Sequence, residues 1–223
     1  MIQCPYKTCH ACYSEGYEAE DIRFVYDFLA NHEQSVFLDV GAHIGLYIYQ
    51  LNKLLNGCAS CKMIAIEPDF SVYAALRRNA SPHNVLCLAA WNEFACLFLS
   101  KQGKEIGRMK ENEVDSEDFF VMAMPLDVLG HSISFDPYIL AAKIDVEGAE
   151  HKVLIGMKQT LLACKKGALV VELSDTHLGR YGSSVMDIVA ELFACGFNTV
   201  DTDQKKLSEA CHGYKRNVHF VKG

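Results

Sequence analysis

From Val36 onward, short apolar runs alternate with segments whose apolar residues recur at helical spacing. "VFLDV" precedes a stretch with Ile44, Ile48, Leu51 and Leu55 on one helical face, and "MIAIEP", closed by Pro68, precedes "FSVYAALRRNA". "ILAAKIDV" leads into Val153, Leu154, Met157 and Leu161, and "ALVVELS" into Val185, Ile188, Val189 and Leu192. "NVLCLAAW" predicts a third strand. "ACLFLSK" and "FFVMAMPL" predict two more, flanking a polar stretch in which residues 101–117 read as a lid or a hairpin tip. Residues 17–31 place Ile22, Val25, Phe28 and Leu29 on one face of a leading helix. "FNTVDTD" and "NVHFVK" predict an antiparallel pair joined by a short link.

Strands this uniformly apolar need cover on both faces, which a parallel sheet between helices supplies. The expectation is an α/β, doubly wound, Rossmann-like fold over residues 36–223. Residues 1–35 are expected to form a cysteine-containing helical extension. Ligands on such sheets bind outside the carboxyl ends of the strands.

Composition narrows the partners. The chain has 223 residues, half of them apolar, and no run approaches the ~20 apolar residues of a membrane span. Its opening lacks the charged and apolar regions of a secretory signal, so an intracellular, cytoplasmic protein is expected. A formal charge of -7 argues against a nucleic-acid grip. Of the ten cysteines, Cys87, Cys96, Cys164, Cys195 and Cys211 lie in or beside apolar runs and read as reduced core thiols. Cys4, Cys9 and Cys12, with His10 between them, and the pair Cys58 and Cys61 have ligand-like spacings. They lack a fourth ligand at a recognisable offset, so no metal site is assigned.

The predicted strand ends carry Asp39 and Gly41, Glu67, Ala90 and Trp91, Asp145 and Glu147, and Glu172 and Asp175. An edge this acidic repels a phosphate-rich ligand. The turn "DVGAHIG" agrees, because it lacks the middle glycine of G-x-G-x-x-G and the G-K-S/T of a P-loop. Glu67 is placed to accept both hydroxyls of a ribose. A ribose ligand with a positive centre and an amino-acid tail suits this edge, and S-adenosylmethionine has those parts.

"FLDVGAHIGLY", "IAIEPDFSVYAALRRN", "PLDVL", "AAKIDVEGAEHKVLIGM" and "LVVELS" occur in an order similar to that of the FkbM-type methyltransferases. That family lies within the class I S-adenosylmethionine-dependent superfamily, and the resemblance covers roughly residues 36–175. It implies seven strands with the last antiparallel. It also implies S-adenosylmethionine as cofactor, with Asp39, Gly41, Ala42, His43 and Gly45 around the methionine part. Glu67 would hold the ribose, Pro68 would border the cofactor, and Ala90 would meet the adenine. The family commonly has asparagine where His43 stands.

The expected reaction is O-methylation of a hydroxyl on a small molecule or sugar. Asp145 and Glu147 are the catalytic candidates, one facing the acceptor and the other the cofactor amino group or the helix start. Helix capping is the plainer role for both. Asp175, His177 and Arg180 are candidates for acceptor recognition. A divalent cation at Asp145 with Glu172 or Asp175 is a lesser alternative. The competing functions are a nicotinamide-dependent oxidoreductase and a non-catalytic S-adenosylmethionine-binding module.

Overall fold

A computed structural model describes residues 16–56, 60–100, 108–110, 118–129 and 138–223. Cys4, Cys9, His10, Cys12 and Cys58, and most of the 101–117 segment, lie outside the described residues.

The main sheet has seven strands in the order β10-β11-β9-β8-β1-β2-β3. Its centre is β1 (Ser35–Val40), between β2 (Cys61–Ile66) and β8 (Ile139–Ile144), all parallel. β3 (Asn84–Leu86) and β9 (Lys166–Leu173) extend it in parallel. β11 (Arg216–Lys222) enters antiparallel, between β9 and the short β10 (Asn198–Thr199).

The period of two along the strands divides the core. Leu38, Val40, Ile64, Ile66, Ala142, Ile144, Leu169 and Val171 pack on the side that buries Val153, Leu154, Leu161, Ile188 and Leu192. Those helical residues belong to α4 (Glu150–Gly156), α5 (Lys158–Ala163) and α7 (Val185–Ala194). Phe37, Met63, Ala65, Ala141 and Val170 face the other way, against Ile22, Val25 and Leu29 of α1 (Ala19–Ala30) and Tyr47, Ile48 and Leu51 of α2 (Leu46–Leu54). Each fully buried Leu or Ile is worth about 1.5–3 kcal/mol, so the two faces hold the sheet between its helical layers. Asp39, Lys143 and Glu172 follow Phe37, Ala141 and Val170 by two residues, so they fall on the α1–α2 side at the carboxyl ends.

Several expectations need correction. The predicted third strand is broken: Asn84–Leu86 pairs with β2, then the chain turns and β4 (Ala89–Ala90) pairs with Ala123 and Met124. β4 belongs to a second, four-stranded sheet, β4-β7-β5-β6, with β5 (Ala95–Ser100), β6 (Arg108–Lys110) and β7 (Phe119–Met124). The strands closing the chain are antiparallel but are joined by a helix, α8 (Gln204–Cys211). Leu207 and Ala210, three apart, pack on the core and make that segment helical. The helix after β8 divides at Met157 into α4 and α5, and at Gly156 a Cβ would lie 1.9 Å from the Trp91 carbonyl oxygen. Cys61, Cys164 and Cys195 are buried free thiols, whereas Cys87, Cys96 and Cys211 are exposed.

α1 is tied to the last strand. Asp21 accepts from Asn217 Nδ2 at 2.8 Å and pairs with His219 Nε2 at 2.6 Å, and Phe24 stacks on the His219 ring. Burial opposes ionisation of Asp21, but these two partners outweigh it and hold its pKa below the usual value. Among the described residues, no helix is long and apolar enough to cross a membrane.

Candidate functional site

The carboxyl ends of β1, β2, β4 and β8 surround a cavity of about 180 Å³, and Tyr17 and Glu18 at the start of α1 close one side. Its floor is the turn after β1. Gly41 and Ala42 both donate to the Ile66 carbonyl, at 2.9 and 3.1 Å, which folds the turn over the end of β2. Gly41, His43 and Gly45 all have left-handed φ, at +82°, +49° and +82°. At Gly41 a Cβ would lie 1.8 Å from the Asp145 carbonyl oxygen, so a side chain is excluded on contact as well as on conformation. The helix begins later than the sequence predicts, with Gly45 as N-cap and Leu46 as its first residue.

Glu67 braces this turn. Its Oε2 accepts the His43 N–H and its Oε1 the Asp69 N–H, both at 2.8 Å. Burial pushes its pKa up to about 7 against these two hydrogen bonds. Each oxygen retains a second lone pair for a ligand hydroxyl.

Asp39 is 1% exposed, and neither of its oxygens makes a hydrogen bond of full geometry among the described residues, although the Ile48 N–H near the start of α2 favours its ionised form. Burial raises its pKa to about 7, opposed by the charge of Lys143, its partner across the β1–β8 register. The Lys143 ammonium instead contacts Asp145 Oδ2 at 2.7 Å. Burial resists charging of both groups, but each holds the other ionised: Lys143 above its ordinary pKa and Asp145 below it.

A second set of charges extends outward from Asp145. Burial, and then the Asp145 charge, push the Glu172 pKa up to about 8. Lys215 lies 3.1 Å from Glu172 and 2.6 Å from Glu147, and His177 Nδ1 is 3.4 Å from Glu147. Glu147, Glu172 and His177 present ligand atoms within 4.8 Å of one another. The Lys215 ammonium already bridges the two carboxylates. The loop carrying Glu147, itself at φ +57°, is organised by Glu150. The buried Oε1 of Glu150 accepts from Val146 N at 2.9 Å and Gly148 N at 3.1 Å.

Asp39, Gly41, Ala42, His43, Glu67, Pro68, Ala90, Asp145 and Glu147 all line the cavity. Gly45 sits behind it, where a Cβ would lie 2.8 Å from Leu76 Cδ1. Asp175 is occupied elsewhere: its Oδ1 accepts the Val185 N–H at 2.7 Å and so anchors the start of α7. The sequence reading passed over Tyr17, Glu18, Tyr47, Lys143, Glu150 and Lys215. For Lys143 the signal was present, since a charged residue inside an otherwise apolar buried strand needs a partner.

A glycine turn, acidic strand ends and a last strand inserted antiparallel before its predecessor match the architecture of S-adenosylmethionine-dependent methyltransferases. The methyltransferase FkbM domain model matches residues 39–199, and the chain belongs to that family. Its cofactor is therefore S-adenosylmethionine. Among solved structures, the methyltransferase FkbM from Methylobacillus flagellatus KT is 16% identical, with a TM-score of 0.53. That match covers 86% of this chain and 45% of the other, so this chain spans less than half of that relative's length. The N-methyltransferase NodS from Bradyrhizobium japonicum WM9, in complex with S-adenosyl-L-homocysteine, is 12% identical, with a TM-score of 0.51. It is matched over 98% of this chain and 93% of its own. At these identities the two structures show the shared fold. No curated protein matches the chain significantly.

Proposed function

We propose that this chain methylates a hydroxyl oxygen on a small molecule or sugar, with the cavity at the β1, β2, β4 and β8 ends as its cofactor site. The observation that carries the cofactor placement is Asp39, a buried carboxylate with neither oxygen in a hydrogen bond of full geometry among the described residues, on the wall of a cavity floored by a glycine turn. A cationic amino-acid tail supplies the partner such a group needs. Glu67 then takes the ribose hydroxyls, Ala42, His43 and Pro68 border the same ligand, and Ala90 meets the adenine. Gly45 contributes by shaping the turn.

Bound there, the cofactor supplies an electrophilic methyl carbon on a sulfonium. The chain's own task is to align the acceptor oxygen with that carbon and to exclude water. Asp145 and Glu147 divide the remaining work. Asp145, held ionised by Lys143, is a weak base and serves by holding that ammonium in place. Glu147, between Lys215 and His177 at the cavity edge, faces the acceptor and takes its hydroxyl proton. Lys215 supplies positive charge between Glu147 and Glu172, so the proposed mechanism needs no metal ion there.

Calorimetry with S-adenosylmethionine, followed by transfer of labelled methyl into fractionated cell extract, tests this reading. Binding with label in a small hydroxylated product supports it. Binding without transfer would favour a non-catalytic module, and no binding would sink the cofactor assignment.

A further inference from the structure

The cavity wall brings the carboxylates of Glu18, Asp39, Glu67, Asp145 and Glu147 together with the Lys143 ammonium. Lys143 is 6% exposed, so its position is fixed by the side chains that enclose it. Asp145 is bonded at 2.7 Å, Asp39 is its direct neighbour on β1, and the Tyr47 ring lies 5.1 Å from its nitrogen. Two acids therefore compete for one cation. In this structure Asp145 has it, and neither Asp39 oxygen makes a hydrogen bond of full geometry among the described residues.

We propose that Lys143 is a positioning residue for the cofactor's amino-acid tail: by engaging Asp145 it keeps both oxygens of Asp39 open to the tail's ammonium group. If Lys143 swung to Asp39, the site would already be neutralised and the tail would lose its anionic partner. If Lys143 were absent, Asp39 and Asp145 would lie side by side with only Lys215, farther out, to offset their charge, a pair that retains a proton and presents it to an incoming ammonium. Lys143 thus acts through the carboxylates, without contact to the reacting atoms. The inference rests on the assignment of this cavity to S-adenosylmethionine.

The test is a binding cycle by calorimetry on four forms of the full chain, wild type, Lys143→Met, Asp145→Asn and the double variant, with thermal melts to confirm folding. Wild-type binding checks the cavity assignment itself, and its absence would refute that assignment rather than the role of Lys143. Given wild-type binding, Asp145→Asn is expected to lose about tenfold or more in affinity, because the released Lys143 pairs with Asp39. Lys143→Met is expected to lose a similar factor, with extra proton release on binding, read from buffers of different ionisation enthalpy. The double variant removes cation and anion together, as buried pairs often tolerate, and is expected to return to within about threefold of wild type. Losses that simply add in the double variant would overturn the proposal, since they mean that Asp145 or Lys143 touches the tail directly. Wild-type affinity in Asp145→Asn would overturn it equally, even if Lys143→Met fails to fold.

Discussion

Glu67, at the end of β2, holds His43, in the turn after β1, by its backbone N–H at 2.8 Å. That bond ties the glycine turn to the neighbouring strand and uses no atom of the imidazole. Position 43 must therefore supply at least a left-handed backbone at φ +49°. Asparagine adopts that region more readily than most residues, and β-branched residues do so poorly. His43→Asn is expected to keep more of the melting temperature and of the affinity for S-adenosylmethionine than His43→Val, which the left-handed backbone penalises. A large loss of affinity in the asparagine variant would show that the imidazole itself serves the cofactor.

Gly41→Ala places a methyl group 1.8 Å from the Asp145 carbonyl oxygen at a φ of +82°. Neither backbone can yield without breaking the β1–β8 register. The expected cost is more than about 3 kcal/mol, in the range of severe backbone and packing defects. Chemical denaturation would measure it, and a wild-type midpoint would contradict the close approach.

Glu150→Ala removes the acceptor for the Val146 and Gly148 N–H groups. Stranding buried donors costs roughly 1–3 kcal/mol each. Because the loop carries Glu147, turnover should fall far more than cofactor affinity. Equal losses in both would place Glu150 on the cofactor side.

Acidification should stabilise the ligand-free protein. Burial raises Asp39, Glu67 and Glu150 to about 7 and Glu172 to about 8, from ordinary values of 3.8 for Asp and 4.5 for Glu. A carboxyl raised in the folded state contributes stability that is fully present below its unfolded pKa and lost as pH rises through its folded one. His83, whose pKa burial lowers, works in the opposite sense as pH falls through the ordinary imidazole range, one group against four, and Asp21 and Asp145 do so only at lower pH. Between about pH 8 and about pH 6 the melting temperature should therefore climb. S-adenosylmethionine, which favours the ionised forms, should bind more weakly over the same descent.

Asp21→Ala cuts the ties from α1 to Asn217 and His219. Leaving a buried hydrogen-bonding group without its partner costs roughly 1–3 kcal/mol. Since Tyr17 and Glu18 precede α1, hydrogen exchange should rise across residues 17–30 and cofactor affinity should fall with it. Unchanged protection there would show that apolar packing alone seats the helix.

The alternation of apolar runs and amphipathic segments made the parallel sheet and its helical layers legible, because burial on both faces leaves a mark on every strand. The motif order likewise exposed Gly41, Glu67, Asp145 and Glu147. Lys143 and Glu150 were visible as letters inside "KIDVEGAE", but their roles depend on Asp39 across a strand pair and on loop N–H groups, which spacing does not encode. Lys215 was out of reach, because 68 residues separate it from Glu147. Asp175 looked functional by its place on the active edge, although its carboxylate serves the first N–H of a helix. α8 was missed because its apolar face is only Leu207 and Ala210, too narrow to register as periodicity.

The insertion of β11 between β9 and β10 bears on how the molecule is made. During synthesis α1 emerges long before Asn217 and His219, so the helix that flanks the cavity waits nearly the whole chain for its docking site. Until β11 arrives, β9 presents an open edge of unpaired backbone, and Asp21 has no partner from that strand. Pairings this distant in sequence form slowly and leave apolar surface exposed meanwhile. A chain stalled before residue 216 would therefore be a substrate for chaperones, and the cavity at its strand ends would be among the last parts of the molecule to take shape.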